Sequence, residues 1–269
     1  MRGASRASYA ELRDQLGAVA VDTATAEQIG DQLFAVVRLL DSEHGLRRAL
    51  ADSGKPAAEK TAVARRLMHG RVSEATEGLV ADAAAGHWAS SNDFADALEL
   101  LAIEALAMAA QYGGTLDDLE DDLFRFGRVV SGQTGLRAAL IGPTTPDAKT
   151  SLLVDLLSDK VSGPSLSLIT QLLTHPRGRS PQAALDVAAG IAARRRSQLV
   201  AVVRAASELS VAQRRRLLDT LTAAYGQGIH LNVVHDPAVI GGVSVQIGDE
   251  LVDGTAASRL AAVRRKLAG

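Results

Sequence analysis

The chain has 269 residues, a net charge of −2 and no cysteine, with 47% hydrophobic and 3% aromatic residues. The hydrophobic content is high enough to form a core, so general disorder is not expected. The absence of cysteine excludes disulfides, thiolate catalysis and zinc–thiolate sites. The weak net charge and the scarcity of aromatic side chains disfavour a nucleic-acid partner, and we expect none.

The first predicted element is a short helix near the start of the chain. Its apolar residues recur at helical spacing, at Tyr9, Leu12, Leu16 and Val19. A single stripe of this kind predicts a helix with one apolar side. A second helix is predicted to begin at Thr25, because Gln28 follows it with the spacing of a capping box.

The middle of the chain repeats its beginning at an offset of 90 residues. The matched residues are Leu33-Phe34 with Leu123-Phe124, Arg38 with Arg128, and Gly45-Leu46-Arg47 with Gly135-Leu136-Arg137. After one deletion the offset becomes 89, which aligns Lys60-Thr61 with Lys149-Thr150. The repeat predicts two copies of one helical unit, at about residues 27–110 and 117–196. Gly45 and Gly135 are predicted to mark a helix end in each copy, and Thr145-Pro146 to begin a helix.

The helix predicted from Asp93 to Tyr112 is apolar on two sides. One side carries Phe94, Leu98, Leu101, Ala105 and Met108, and the other carries Leu100, Ile103 and Leu106. Such a helix is either central in its domain or half exposed as a groove for a partner's amphipathic helix. The sequence leaves both interpretations open.

The pattern changes near residue 198. The β-branched run Leu199–Val203 and the segment Ile229–His235 predict strands, and the capping box Ser210-Val211-Ala212-Gln213 predicts a helix between them. Val243, Val245 and Ile247 alternate and predict one strand of a hairpin, with a return strand at Leu251-Val252 and a last helix from about Thr255.

These elements predict an α+β fold that is mostly α. It consists of two tandem copies of a helical bundle followed by a small C-terminal α/β domain. The predicted domains are residues 1–112, 113–197 and 198–269.

Sites for chemistry are not evident in the sequence. The segment from Gly142 to Thr150 ends in Lys-Thr, but it lacks the second glycine of a phosphate-binding loop and contains two prolines. His230 and His235 would lie on opposite faces of a strand, and the other histidines are scattered. We therefore predict no catalytic residue, no metal ligand and no cofactor, and we expect that the protein is not an enzyme.

Membrane insertion is not expected either. The most apolar stretch, from Leu98 to Ala110, is too short for a transmembrane span and contains two glutamates. No apolar core of a signal peptide follows Met1. We expect a cytoplasmic protein that associates with a membrane only through another protein.

The C-terminal segment carries a specific motif. Its residues are Asp236-Pro237, Ile240-Gly241-Gly242, Val245, Gly248-Asp249, Asp253-Gly254 and Ser258-Arg259-Leu260. This motif resembles the signature of the δ subunit of F-type ATP synthases, whose mitochondrial relative is the oligomycin-sensitivity-conferring protein. The extra helical copy resembles the long δ subunits of actinobacteria.

The resemblance implies a stator subunit of the peripheral stalk. In that family the helical domain binds the N-terminal helices of α subunits, and the C-terminal domain binds the b-type stalk subunit, at the cytoplasmic face of the membrane. By analogy, we place the α-subunit contact on Tyr9, Leu12, Leu16, Phe94, Leu98, Leu101 and Met108. The stalk contact is placed around Leu251, Leu260 and Val263.

Two alternatives remain from the sequence alone. The first is a helical adaptor protein unrelated to ATP synthesis, in which the α/β domain is a scaffold. The second is an enzyme whose site the sequence does not reveal.

Overall fold

A computed structural model describes residues 3–196, 199–207, 209–226, 228–236, 239, 242–247 and 250–253. These residues form twelve α-helices and one four-stranded sheet. The chain divides into two compact units, Met1–Arg195 and Arg196–Gly269. The described part of the first unit is helical and the second contains the sheet, so the predicted α+β, mostly α fold class is confirmed.

Eleven helices are described before the sheet. In chain order they are α1 (Ala4–Val19), α2 (Thr23–Ser42), α3 (His44–Ala51), α4 (Ala57–Met68), α5 (Glu74–Ala85), α6 (Ser91–Tyr112), α7 (Leu116–Gly132), α8 (Thr134–Ile141), α9 (Pro146–Leu157), α10 (Gly163–Thr174) and α11 (Pro181–Arg196). Their buried apolar side chains form one continuous core.

The helix boundaries repeat with the offsets found in the sequence. The eight-residue helices α3 and α8 begin 90 residues apart. The twelve-residue pairs α4 and α9, and α5 and α10, each begin 89 residues apart. The one-residue deletion therefore falls in the loop before α4 and α9, where it does not alter the length of any of these helices.

Helix α6 belongs to both copies. Three residues separate α1 from α2, and three separate α6 from α7. Helix α6 also packs against α10 as α1 packs against α5. The C-terminal part of α6 thus takes, in the second copy, the place that α1 takes in the first. Both sides of α6 are buried within the chain, so it is a central helix.

Helices α2 and α6 pack closely because Gly30 has no side chain. A Cβ atom built on Gly30 would lie 2.8 Å from the Leu106 side chain and 3.3 Å from the Ala102 carbonyl oxygen. The many alanines of α6 allow the same approach along its length. Small residues at this contact bring the two helix backbones together.

Two local predictions at helix ends were wrong. Helix α2 begins at Thr23, and its cap is Asp22, whose carboxylate accepts a hydrogen bond from the Thr25 N–H at 2.7 Å. Gly45 and Gly135 lie in the first turns of α3 and α8 and do not end the preceding helices. The predicted start of α9 is confirmed, because Thr145 accepts a hydrogen bond from the Ala148 N–H at 3.3 Å.

The described part of the second unit consists of one helix and a small sheet. Its described elements are β1 (Leu199–Ala205), α12 (Val211–Tyr225), β2 (Ile229–His235), β3 (Val243–Ile247) and β4 (Glu250–Asp253), with strand order β2-β1-β3-β4. Strands β1 and β2 are parallel, whereas β3 pairs antiparallel with β1 and with β4. The capping box at Ser210 is confirmed. The last predicted helix lies outside the described residues.

The close contact at Gly30 predicts opposite effects for one substitution at two sites. Gly30→Ala should lower the free energy of unfolding by about 1–2 kcal/mol, because the added methyl group overpacks α2 against α6. Gly78→Ala, on α5 with open space around it, should raise that free energy by about 0.5–1 kcal/mol through helix propensity. Denaturant unfolding followed by the fluorescence of Trp88, the only tryptophan, measures both. Equal stabilisation by the two substitutions would contradict this packing argument.

Candidate partner-binding surfaces

Surfaces are the candidate functional sites of this chain. Within the described residues, no group of three or more histidine or acidic side chains is arranged to hold a metal ion. In the same residues, no helix combines the length and apolarity that crossing a bilayer requires.

The predicted contact residues of α1 face inward. Leu12 and Leu16 are buried in the core, and Tyr9 is partly buried against it. Burial, together with the negative charge of Glu104, raises the pKa of the Tyr9 hydroxyl. These side chains attach α1 to the bundle. Their predicted role in a partner contact stays a prediction.

Two buried serines fix α1 against the end of α5. The Ser8 hydroxyl donates to the His87 carbonyl oxygen at 3.2 Å and accepts from the His87 N–H at 3.0 Å. The Ser5 hydroxyl accepts from the Ala89 N–H at 2.9 Å. Because these bonds satisfy backbone groups beyond the helix end, α1 is held in one register along α5.

The outer side of α1 and the end of α5 border a shallow groove, called here the α1–α5 groove. It is lined by Ala4, Ala7, Ser8, Glu11, Gln15, Asp82, Ala85, Gly86 and His87. The small side chains of Ala4, Ala7 and Ala85 leave room for another helix to approach closely, and charged and amide groups lie around them. The groove therefore has the composition of a helix-binding surface.

The predicted contact residues of α6 lie in the core. Phe94, Leu98, Leu101 and Met108 are between 0 and 1% exposed. In this structure these side chains pack against the chain's own helices, and their predicted contact with a partner stays a prediction. Of the residues predicted to bind the stalk, Leu251 lies in β4, whereas Leu260 and Val263 lie outside the described residues.

Helix α6 also carries two buried glutamates that sequence reasoning did not single out as a structural feature. Glu104 pairs with Arg13 of α1 at 3.3 Å and with Arg195 of α11 at 3.6 Å. Burial lowers the pKa of Arg195, and the nearby charge of Glu104 partly offsets that effect. One carboxylate thus connects the first helix of the first copy with the last helix of the second.

Glu99 is the centre of a second cluster. It accepts hydrogen bonds from Arg177, at 3.0 Å, and from Arg179. Arg177 also pairs with Asp41 of α2 at 2.7 Å and with Asp96 of α6 at 2.8 Å. Burial alone would lower the pKa of Arg177, but these carboxylates raise it above its ordinary value.

The backbone of Arg177 also indicates that the Glu99 cluster constrains the loop between α10 and α11. Arg177 has a φ of 50°, in the left-handed region that a non-glycine residue seldom occupies. The loop between α10 and α11 is therefore held in place by its ion pairs with α2 and α6.

The structure shows a surface on α7, with exposed apolar and charged side chains, that the sequence analysis did not predict. We call it the Phe124 patch, and its members are Asp121, Phe124, Arg125, Arg128 and Val129. Phe124 is 62% exposed and Val129 is 41% exposed. No local pattern marked this surface, because the equivalent adjacent pair on α2, Leu33 and Phe34, is buried in the core.

Comparison with known proteins gives consistent findings. The family model described as ATP synthase delta (OSCP) subunit matches residues 103–267. A Streptomyces griseus protein named ATP synthase subunit delta is 44% identical over 271 residues, covering 100% of both chains. A Thermobifida fusca protein of the same name is 43% identical over 273 residues, again covering 100% of both.

One solved structure has a weaker likeness. It is a chain in the cryo-EM structure of the Toxoplasma gondii mitochondrial ATP synthase hexamer, and the match covers 62% of the present chain and 95% of the Toxoplasma chain. Its sequence identity is 16% and its TM-score is 0.28.

The Glu99 cluster predicts a large effect from one buried charge. Glu99→Ala should lower the free energy of unfolding by about 2–3 kcal/mol, because Arg179 loses its partner and Arg177 loses one of three. The matched control is Arg125→Ala, which breaks an exposed pair with Asp121 and should change stability by less than about 0.5 kcal/mol. Denaturant unfolding measures the change in the free energy of unfolding for both variants. Equal effects would mean that the Glu99 cluster contributes no more than a surface ion pair.

Proposed function

We propose how this chain, which belongs to the ATP synthase delta (OSCP) subunit family, performs its role as a stator. It is a non-catalytic subunit of the peripheral stalk of F-type ATP synthase. The full-length similarity to ATP synthase delta subunits is the observation that carries this conclusion. We infer that it connects the α subunits of the catalytic head to the b-type stalk subunit at the cytoplasmic face of the cell membrane.

The physical demand on a stator is resistance to torque. A linker between head and stalk must not yield when the rotor turns, so its own helices must resist sliding. In the first unit, Met1–Arg195, the close α2–α6 contact and the buried ion pairs of Glu99 and Glu104 support this proposal. Its partner contacts must also dissociate slowly, which favours buried apolar contacts over charge alone.

The α-subunit contact is proposed for the α1 side of the helical unit. Tyr9, Leu12 and Leu16 would act from beneath, because they set the position of α1. The exposed α1–α5 groove would receive the N-terminal helix of an α subunit on its small residues Ala4, Ala7 and Ala85. Phe94, Leu98, Leu101 and Met108 would support this surface from the core.

The groove proposal predicts a selective loss of α-subunit binding. Ala7→Glu should weaken binding of a peptide from the α-subunit N-terminus by about tenfold or more, because a charge would enter the helix contact. Ala62→Glu, at an exposed position of α4, is the matched control and should leave binding unchanged. Fluorescence anisotropy of a labelled peptide with the full chain measures both. Normal binding by Ala7→Glu would contradict the groove as the contact.

The b-subunit contact is proposed for the second unit, around Leu251, Leu260 and Val263. The support is the match of the family model, which extends to residue 267. Apolar residues near the end of the chain would pack against the end of the stalk helix, as expected for a long-lived contact.

The proposed b-subunit contact predicts a selective loss of b-subunit binding. The double substitution Leu260→Asp with Val263→Asp should weaken binding to the soluble part of the b subunit by about tenfold or more. Binding of the α-subunit peptide should not change, and Ala7→Glu should leave b binding intact. Titration of the two full-length variants with each of the two partners gives four dissociation constants. Loss of both partners in either variant would show that the two contacts are not separate.

A further inference from the structure

The internal repeat provides two versions of the same helix face. Helix α2 carries Asp31, Phe34 and Arg38, and helix α7 carries Asp121, Phe124 and Arg128 at the corresponding positions. Residues spaced by three and then four positions lie on one side of a helix. The first copy therefore shows how this face is used when it is covered.

On α2, helix α10 satisfies both polar residues of the face. The Ser167 hydroxyl donates to the Asp31 carboxylate at 3.1 Å. The Arg38 guanidinium donates to the Gln171 side-chain oxygen at 2.5 Å. Phe34 lies between Asp31 and Arg38 on the same face and is only 5% exposed. A helix with a hydroxyl residue and, four positions later, an amide residue thus fits this face.

On α7, the same face is uncovered in the described structure. Phe124 is exposed, and Asp121 pairs with its neighbour Arg125 at 3.0 Å on the surface. The Phe124 patch therefore has the apolar and polar groups of the α2 face without a helix across them. A large exposed aromatic side chain between charged residues is typical of an interaction site.

Two differences between the faces indicate the charge of the missing helix. Arg125 stands on α7 where α2 has Ala35, and Ser131 stands where α2 has Asp41. Both changes make the α7 face more positive. An acidic residue on the incoming helix would therefore pair with Arg128 and Arg125 better than the neutral glutamine of α10.

We propose that the Phe124 patch binds an amphipathic helix of another polypeptide. That helix presents a hydroxyl to Asp121 and, four residues later, a carboxylate to Arg128, with an apolar side chain against Phe124. A second copy of this chain fits poorly. Its α10 is already engaged with its own α2, and α5, the counterpart of α10, has Gly78 where the hydroxyl would be needed.

The probe for this site is a helix-stabilised peptide with the sequence of residues 163–176 carrying Gln171→Glu. It should bind the full chain saturably, with a Kd of about 10–100 μM. Phe124→Ser and Arg128→Ala should each weaken binding about tenfold. Val63→Ser, at a 40% exposed valine of α4, is the control and should not change it. Fluorescence anisotropy measures all four proteins.

Three results would overturn the proposal. The first is no saturable binding up to about 1 mM. The second is equal binding to Phe124→Ser, which would place the probe elsewhere, for example on α2 in exchange for α10. The third is a dimer in sedimentation that Phe124→Ser converts to a monomer, which would assign the patch to a second copy. None of these measurements uses another ATP synthase subunit, so their failure leaves the stator role untouched.

Discussion

The close contact between α2 and α6 is the constraint on which the helical unit depends. Gly30 lets α2 lie against Ala102 and Leu106 of α6, and no residue with a side chain fits there without displacement. Once α6 is held in this position, its other side is available to the helices of the second copy. A single long helix then serves two bundles, which is why it is apolar on both sides.

Buried charge adds directionality to this apolar packing. Hydrophobic contact alone would allow α6 and its neighbours to slide, because it has little angular preference. Glu99 and Glu104 are fixed by arginines that come from α1, α11 and the loop after α10. Removing one partner from such a pair leaves a charge buried without compensation, so these contacts oppose relative movement of the two copies.

The duplication links this architecture to the function. The second copy adds a helical layer that shares α6, so the two copies form one continuous core. It also covers the Asp31–Arg38 face of the first copy and presents an equivalent face on α7. A stator subunit with such a layer gains rigidity and one further surface for a neighbouring chain.

Much of the fold could be predicted from local pattern. Strands β2 and β3 begin and end where the alternation and the β-branched runs placed them, and α9 begins at its Thr-Pro signal. The errors were at caps. Asp22, not Thr25, caps α2, because a side chain that accepts the hydrogen bond can lie outside the periodic run. The predicted contact residues of α1 and α6 were placed by family analogy on apolar helix faces, and burial in the chain's own core selects the same residue types.

The sequence by itself determined the helical and strand segments, the offset of the repeat and the family signature, because each depends on residues that are close in the chain or matched one to one. Only the tertiary structure decided which apolar faces are covered. Phe34 and Phe124 are the same residue in the same repeat position, yet the first is 5% and the second 62% exposed. Beside Phe34 lie Glu99 of α6, Gln171 of α10 and Arg177 of the loop after α10, all of them distant from α2 in the chain. In the described structure Phe124 has no equivalent neighbours and stays exposed.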